Sequence, residues 1–328
     1  MIISRTPMRI SIGGGGTDLP YYYTKNGGSL VSAAIDKFMY ISVNKRFHNT
    51  SLIKYSKIEE VNDNKKIEHP LIREALSLLN IKEPIEITSI ADISSGTGLG
   101  SSGSFTAGLL NALHLYKGEY VSKKTIAEEA CHIEMDILKD PVGKQDQYIA
   151  SFGGIMNMNI SQKGNVSITP LDISWDTIKE LEENILLFYT GVRRSSFTVL
   201  KSQKQEAEKD YDKMEYLGKI KKIGNEIKSA LEKGNTRRFG QWLNIHWQTK
   251  KQLTNKMSNP DIDKWYETAL KNGALGGKIM GAGGGGFFMF YAEENHHEML
   301  RSAMKEQELH EFPFKFDFDG TKIILNQR

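Results

Sequence analysis

Gly96-Thr97-Gly98-Leu99-Gly100-Ser101-Ser102-Gly103-Ser104 is the stretch on which the fold turns. Glycine loses the most backbone freedom on folding, so a run of it persists where side chains cannot be tolerated, such as the close approach of main chain to a ligand. The segment from Ser104 to Tyr116 predicts a helix that opens straight from this loop. Free N–H groups and the positive end of the helix dipole then face the loop, and such a site suits a triphosphate. Ser101 and Ser102 add hydroxyls that can bond phosphate or reach a metal.

Two further glycine clusters flank it, Gly13-Gly14-Gly15-Gly16-Thr17-Asp18 and Gly281-Ala282-Gly283-Gly284-Gly285-Gly286. Three clusters, each beside a predicted strand or helix, weaken the reading of flexible turns. No Walker A loop is present: the Gly-Lys pairs at Gly143, Gly218 and Gly277 are followed by Gln145, Ile220 and Ile279. Gly98, Gly100 and Gly103 do satisfy GxGxxG. A dinucleotide fold opens with βαβ units, and this loop lies nearly a hundred residues in. An NAD(P)-dependent oxidoreductase is therefore the rival from a different class.

The chain has 328 residues, 39% hydrophobic and 25% charged, which suits two packed lobes or one large domain. Its net charge of +3 comes from 43 basic and 40 acidic side chains without a long basic block. A nucleic-acid partner is not expected from this. One cysteine, Cys131, excludes an intrachain disulfide and suits a reducing compartment. No stretch has the length of a membrane span, and residues 1–12 lack a continuous apolar core for a signal peptide. A cytoplasmic protein without a membrane partner is the expectation.

The order of predicted elements is strands, helices, strands, which indicates α+β. Met8, Ile10 and Ile12 alternate with Arg9 and Ser11 as in a half-buried strand, and residues 29–46 read as a second. Helices are predicted over 70–79, 104–116, 122–138, 196–231 and 236–253, with another started by Asn259-Pro260 and closed by Gly273. Strands are predicted over 85–90, 185–189 and 287–291. Phe312, Phe314, Phe316 and Phe318 alternate, and Asp319-Gly320 reads as the turn of a hairpin into 323–325.

The three clusters, with Thr6-Pro7-Met8-Arg9 before the first and Lys278-Ile279-Met280 before the third, resemble the motifs of the GHMP kinase superfamily, in the same order and across most of the chain. That resemblance implies the GHMP kinase fold, with two lobes (1–180 and 181–328) and the active site between them. The first motif runs into Thr17-Asp18-Leu19-Pro20, a form similar to D-glycero-D-manno-heptose 7-phosphate kinases and bacterial fucokinase domains. The implied activity is ATP-dependent phosphorylation of the anomeric hydroxyl of the heptose phosphate. Another sugar-1-kinase of the superfamily is the nearer alternative, and a catalytically dead GHMP-fold binding protein a further one.

The resemblance also implies roles. Gly143, Asp146 and Gln147 match a Gly-x-x-Asp-Gln pattern that makes Asp146 the catalytic base, where spacing alone reads an ordinary loop carboxylate. Glu134, twelve residues earlier, stands at the place of a metal-binding glutamate and with Ser102 would hold Mg²⁺. The other reading of Glu134 is a solvated face shared with Glu128, Glu129 and Asp136. Arg9, in the Pro-x-Arg position, would hold Asp146 ionised and stabilise developing charge. Residues Gly96, Gly98, Leu99, Gly100, Ser101, Ser102, Gly103 and Ser104 would take the nucleotide. Gly15, Gly16, Thr17, Asp18, Gly283 and Gly284 would border the sugar. Arg193 and Arg194, between a buried strand and a helix, together with Lys278, would take its phosphate. Surface arginines beside a turn are the plainer reading.

Overall fold

The computed structural model describes residues 1–192 and 196–327. Ile2–Gly13 (β1), Gly28–Lys45 (β2), Ser51–Lys54 (β3), Ile58–Val61 (β4), Ile85–Ala91 (β5), Ile155–Ile160 (β6) and Val166–Pro170 (β7) build a first sheet. Ile185–Tyr189 (β8), Ala274–Ile279 (β9), Phe287–Ala292 (β10) and His310–Glu311 (β11) build a second, in the order β11-β8-β10-β9. Lys322–Asn326 (β12) returns to pair antiparallel with β1. The first sheet runs β12-β1-β2-β5-β3-β4, and β2 is long enough to pair with β6 through Gly28–Ala33 and with β5 through Met39–Lys45. The next strand after the glycine loop, β6, pairs antiparallel with β2 and β7 and not with β5, so the loop does not open a βαβ nucleotide unit, and the GxGxxG match is accidental.

The helices are Pro20–Asn26 (α1), Pro70–Leu78 (α2), Ser101–Lys117 (α3), Lys123–Cys131 (α4), Gln145–Phe152 (α5), Trp175–Asn184 (α6), Ser196–Lys209 (α7), Tyr211–Glu232 (α8), Thr236–Lys250 (α9), Pro260–Lys271 (α10) and His297–Glu306 (α11). Helix α3 starts three residues before the sequence reading placed it, so Ser101 and Ser102 belong to its first turn. The stretch read as one helix over 196–231 breaks at Asp210, whose carboxylate accepts from Asp212 N and caps α8. Past Cys131 the chain widens into a π turn, His132–Ile137.

One face of β1 and β2 buries Met8, Ile10, Ile12 and Ile35 under Ile223, Ile227 and Leu231 of α8. Elsewhere in the first sheet, Ile41, Val43, Ile85 and Ile87 pack with Leu109, Leu110 and Leu113 of α3 and Ile72 and Leu76 of α2. Phe288 and Phe290 of the second sheet pack against Trp247 of α9 and Tyr266 of α10. We propose lobes of residues 1–180 and 181–328, each holding its own sheet, with α8 and β12 tying the second to the first.

The phenylalanine alternation is a correction. Residues 312–318 form no strand; Phe316 makes a single bridge to Ile35 at the bend of β2. Pro313 has no N–H, and Phe316 N donates to the Glu182 carboxylate instead of to a ladder. Asp317 Oδ1 accepts from Asp319 N and Gly320 N, so the predicted turn is present. The strand after it pairs with β1, because β1 has an open edge there.

Candidate active site

The middle glycine loop and the start of α3 form one wall of a cavity of about 370 Å³. Gly96, Gly98 and Gly100 have φ of 81°, 86° and 76°, a region costly for residues with a Cβ. Gly100 occupies the N-cap position and no side chain caps the helix, which leaves first-turn N–H groups for a ligand. Ser101 and Ser102 line the cavity. Leu99 and Ser104 are fully buried, with Ser104 Oγ donating to the Pro7 and Gly100 carbonyls. Both act through main chain and packing, and their side chains do not face a ligand. Gly103 is small for another reason: a Cβ there would lie 2.6 Å from Asp146 Cβ. It lets α5 approach α3 closely enough to bring Asp146 to the loop.

Arg9 crosses from β1 to both. Its Nε donates to Asp146 Oδ1 at 2.7 Å and its Nη1 to the Gly98 carbonyl at 2.6 Å. The alternation of β1 is thus borne out, but its polar side faces this cavity, and Arg9 and Ser11 are buried. Glu134, on the π turn, is also buried. Its Oε2 accepts from Ser102 Oγ at 2.6 Å and its Oε1 from Gln147 Nε2 at 3.0 Å. Burial pushes its carboxyl up to about 7, against the hydrogen bonds that hold it down. The reading of Glu134 as a solvated face falls: it follows buried Ala127 and Ala130 by seven and four residues, on the inner side. Among the described residues, no group of three or more His, Cys, Asp or Glu side chains forms a metal cage. A carboxylate and a hydroxyl beside the uncapped start of α3 do fit a cation such as Mg²⁺, which takes few protein ligands and otherwise keeps water and phosphate oxygens.

The first glycine cluster lines the same cavity. Thr17 is buried and holds the loop, donating to the Gly14 and Ser29 carbonyls and accepting from Ser29 N. Asp18 accepts from Gly16 N and Gln145 N, both at 3.1 Å. Burial, then the nearby Asp146 charge, raises its pKa. Gly15, Gly16, Asp18, Gly143 and Gln145 all line the cavity. Gln145, which the sequence reading passed over, also donates to Ser11 Oγ.

The third cluster lies on the second, backbone against backbone. A Cβ on Gly281 would stand 2.8 Å from Gly98 Cα, and one on Gly98 2.6 Å from the Met280 carbonyl oxygen. Gly283 lines the cavity, while Gly284 N donates to the Met257 carbonyl and is set back. Lys278 is a correction. It is 1% exposed on β9, and its Nζ donates to the Ile12 carbonyl rather than into the cavity. It points to the opposite face of β9 from Gly277 and Ile279, and both faces are buried there. Burial, with Lys250 and Arg9 nearby, holds its pKa well below the usual lysine value. Arg193 and Arg194 lie outside the described residues. The lysine that does reach the cavity is Lys250, at the end of α9. Met39, His69, Leu71 and Phe105 also line the cavity. The His69 ring stacks on Phe105, centroids 4.8 Å apart.

A glycine loop with free helix N–H groups, a carboxylate–arginine pair and a second buried aspartate in one cleft suit a small-molecule phosphotransferase. Family comparison agrees: residues 68–154 match the GHMP kinases N terminal domain and residues 227–308 the GHMP kinases C terminal domain. The chain is 30% identical to the D-glycero-alpha-D-manno-heptose 7-phosphate kinase of Campylobacter jejuni over 98% of both proteins. It is 26% identical to the L-fucokinase/L-fucose-1-P guanylyltransferase of Bacteroides fragilis, over 86% of this chain and 34% of that protein. A crystal structure of a D-glycero-D-manno-heptose 1-phosphate kinase from Bacteroides thetaiotaomicron superposes with a TM-score of 0.82, at 24% identity and full coverage of both chains. The chain belongs to the GHMP kinases and is an ATP-dependent sugar kinase. Neither the oxidoreductase nor the inert binding protein survives this. Among the described residues no helix is long and apolar enough to cross a membrane.

Proposed function

We propose that the chain transfers the γ-phosphoryl group of ATP to the anomeric C1 hydroxyl of D-glycero-D-manno-heptose 7-phosphate, giving the 1,7-bisphosphate and ADP. The observation that carries this is the position of Asp146: paired with Arg9 at 2.7 Å, close to the glycine loop before α3, and in the same cavity as Asp18. The choice of sugar is supported by the heptose kinase relative that matches along its whole length.

In this reading the N–H groups at the start of α3 and the main chain of Gly96–Gly103 hold the nucleotide phosphates. Asp18 accepts hydrogen bonds from sugar hydroxyls, already oriented by Gly16 N and Gln145 N. Asp146 accepts the proton of the attacking hydroxyl. Arg9 keeps that carboxylate aimed and adds positive charge beside it. Glu134 and Ser102 would hold Mg²⁺, whose chemistry is to neutralise charge on the phosphate oxygens. Arg193 and Arg194 are proposed to contact the sugar's own phosphate.

Purified protein with ATP, Mg²⁺ and each of heptose 7-phosphate, fucose and galactose tests the proposal, with ADP release and phosphorus NMR of the product as readouts. The expected result is a C1 phosphate on the heptose, with the neutral sugars at least ten-fold poorer in kcat/KM. A preference for fucose would instead support the fucokinase reading, for which the Bacteroides fragilis relative argues.

A further inference from the structure

Lys250 has no role in the reaction as set out above, yet its surroundings are unusual for a lysine. It lines the cavity while being only 8% exposed. Its Nζ donates to the Gly281 carbonyl at 2.7 Å, and among the described residues it forms no ion pair. Lysine has three N–H donors, so two remain for a ligand. A buried lysine without a carboxylate partner costs stability, and this one lies in the active-site wall rather than in the core.

Its place defines what it can touch. Gly281, which it anchors, lies against Gly98 of the phosphate loop, and Gly98 accepts from Arg9, which pairs with Asp146. The ammonium therefore stands against the wall where Gly281 meets the glycine loop, with Arg9 and Asp18 near enough to act on its charge. The charged and titratable groups that face it are Arg9 and Asp18 at the two ends of the first motif, Lys278 on β9 and His246 on its own helix. Neither ring nitrogen of His246 has a hydrogen-bond partner among the described residues, and burial with the two lysines holds it neutral. Arg9 is already paired with Asp146, and Asp18, the one carboxylate that acts on Lys250, forms no ion pair with it among the described residues, so the ammonium is left for an anion.

We propose that Lys250 is a catalytic residue whose ammonium donates to the phosphoryl group as it passes from nucleotide to sugar. This rests on the kinase reaction proposed above. In the step, the sugar oxygen forms a bond to the γ-phosphorus as the bond from that phosphorus to the β,γ-bridging oxygen breaks. The sugar proton goes to Asp146, and ADP leaves with the electron pair. Lys250 keeps its proton throughout. Burial and then Arg9 pull its pKa down to about 8, with Asp18 opposing, so an arriving anion holds the proton in place.

Lys250→Met and Lys250→Arg test this, assayed with the sugar phosphate and with the same sugar lacking its phosphate. Lys250→Met is expected to lower kcat by about 10²–10³, the range for loss of one donor to transition-state charge. The factor should be the same for both acceptors. Lys250→Arg should recover part of the loss and move the alkaline limb of the kcat/KM profile upward from about pH 8, a shift that a packing role would not produce. A kcat within three-fold of wild type in Lys250→Met overturns the inference. So does a loss confined to the phosphorylated acceptor, or an alkaline limb unmoved in Lys250→Arg. Wild-type protein that phosphorylates neither acceptor would overturn the underlying kinase reading, which is a separate result.

Discussion

Arg9 and Asp146, 137 residues apart in the chain, form a hydrogen-bonded ion pair of 2.7 Å, and the same guanidinium also donates to the glycine loop at Gly98. One side chain thereby fixes the distance between the carboxylate and the loop. The pair forms because Gly103 and Gly100 leave no side chain between β1, α3 and α5: a Cβ on Gly100 would lie 3.0 Å from Arg9 Cγ.

Asp146→Asn keeps the shape of the side chain but removes the proposed base. We expect kcat to fall by about 10²–10⁴ while KM for ATP stays within about three-fold, because the loop is untouched. Steady-state kinetics with varied ATP measures both. Undiminished turnover would remove Asp146 as base without touching the family assignment.

Gly143→Ala acts on the sugar side. A Cβ at residue 143 would collide with the Asp18 carboxylate, whose position depends on Gln145 N and Gly16 N. The expected outcome is a KM for sugar raised at least ten-fold, with KM for ATP little changed. Equal effects on the two KM values would show that Asp18 does not hold the sugar.

Glu134 makes the free enzyme sensitive to pH. Its pKa is raised from 4.5 to about 7 by burial, so the folded protein holds a proton there that the unfolded chain releases. The associated stability is complete below 4.5 and is lost as pH rises to about 7. The loss is on the order of 3 kcal/mol at most. Urea unfolding without Mg²⁺ should show Glu134→Gln gaining on wild type between about pH 5 and about pH 8. Identical pH curves for the two proteins would contradict the assignment. Mg²⁺ affinity of the wild type should rise over the same interval, since the ligand must be ionised.

His114 has the same sign for a different reason. Burial pushes its pKa down, but Glu129 at 2.7 Å and Glu119 at 2.8 Å outweigh it, so the net shift is upward from 6.5. Its contribution is full below 6.5 and declines as pH passes through the raised value. Thermal unfolding should therefore show wild type leading His114→Gln most at acid pH. A gap that does not vary with pH would mean that His114 acts by packing alone.

Much of the site was legible because its requirements are local. A helix opening from glycines with left-handed backbone, and strand alternation at Met8, Arg9 and Ile10, follow from residue type and spacing. Lys250 was missed although a signal existed: it continues the inward stripe of Phe239, Leu243 and His246 at offsets of eleven, seven and four residues. A lysine on such a stripe is a buried cation. The phenylalanine alternation misled because period two describes extended chain whether or not a neighbouring strand accepts its hydrogen bonds.

The sequence by itself determined the order of the three glycine motifs and the positions at which the backbone must turn or be approached closely, since these depend on the absence of a Cβ. It also determined which carboxylates were available. Only the tertiary structure decided that Lys278 turns inward to Ile12 while Lys250 reaches the cavity, and that β12 closes on β1. Burial and charge environment come from groups remote along the chain, and no local pattern encodes the direction in which a buried cation finds its partner.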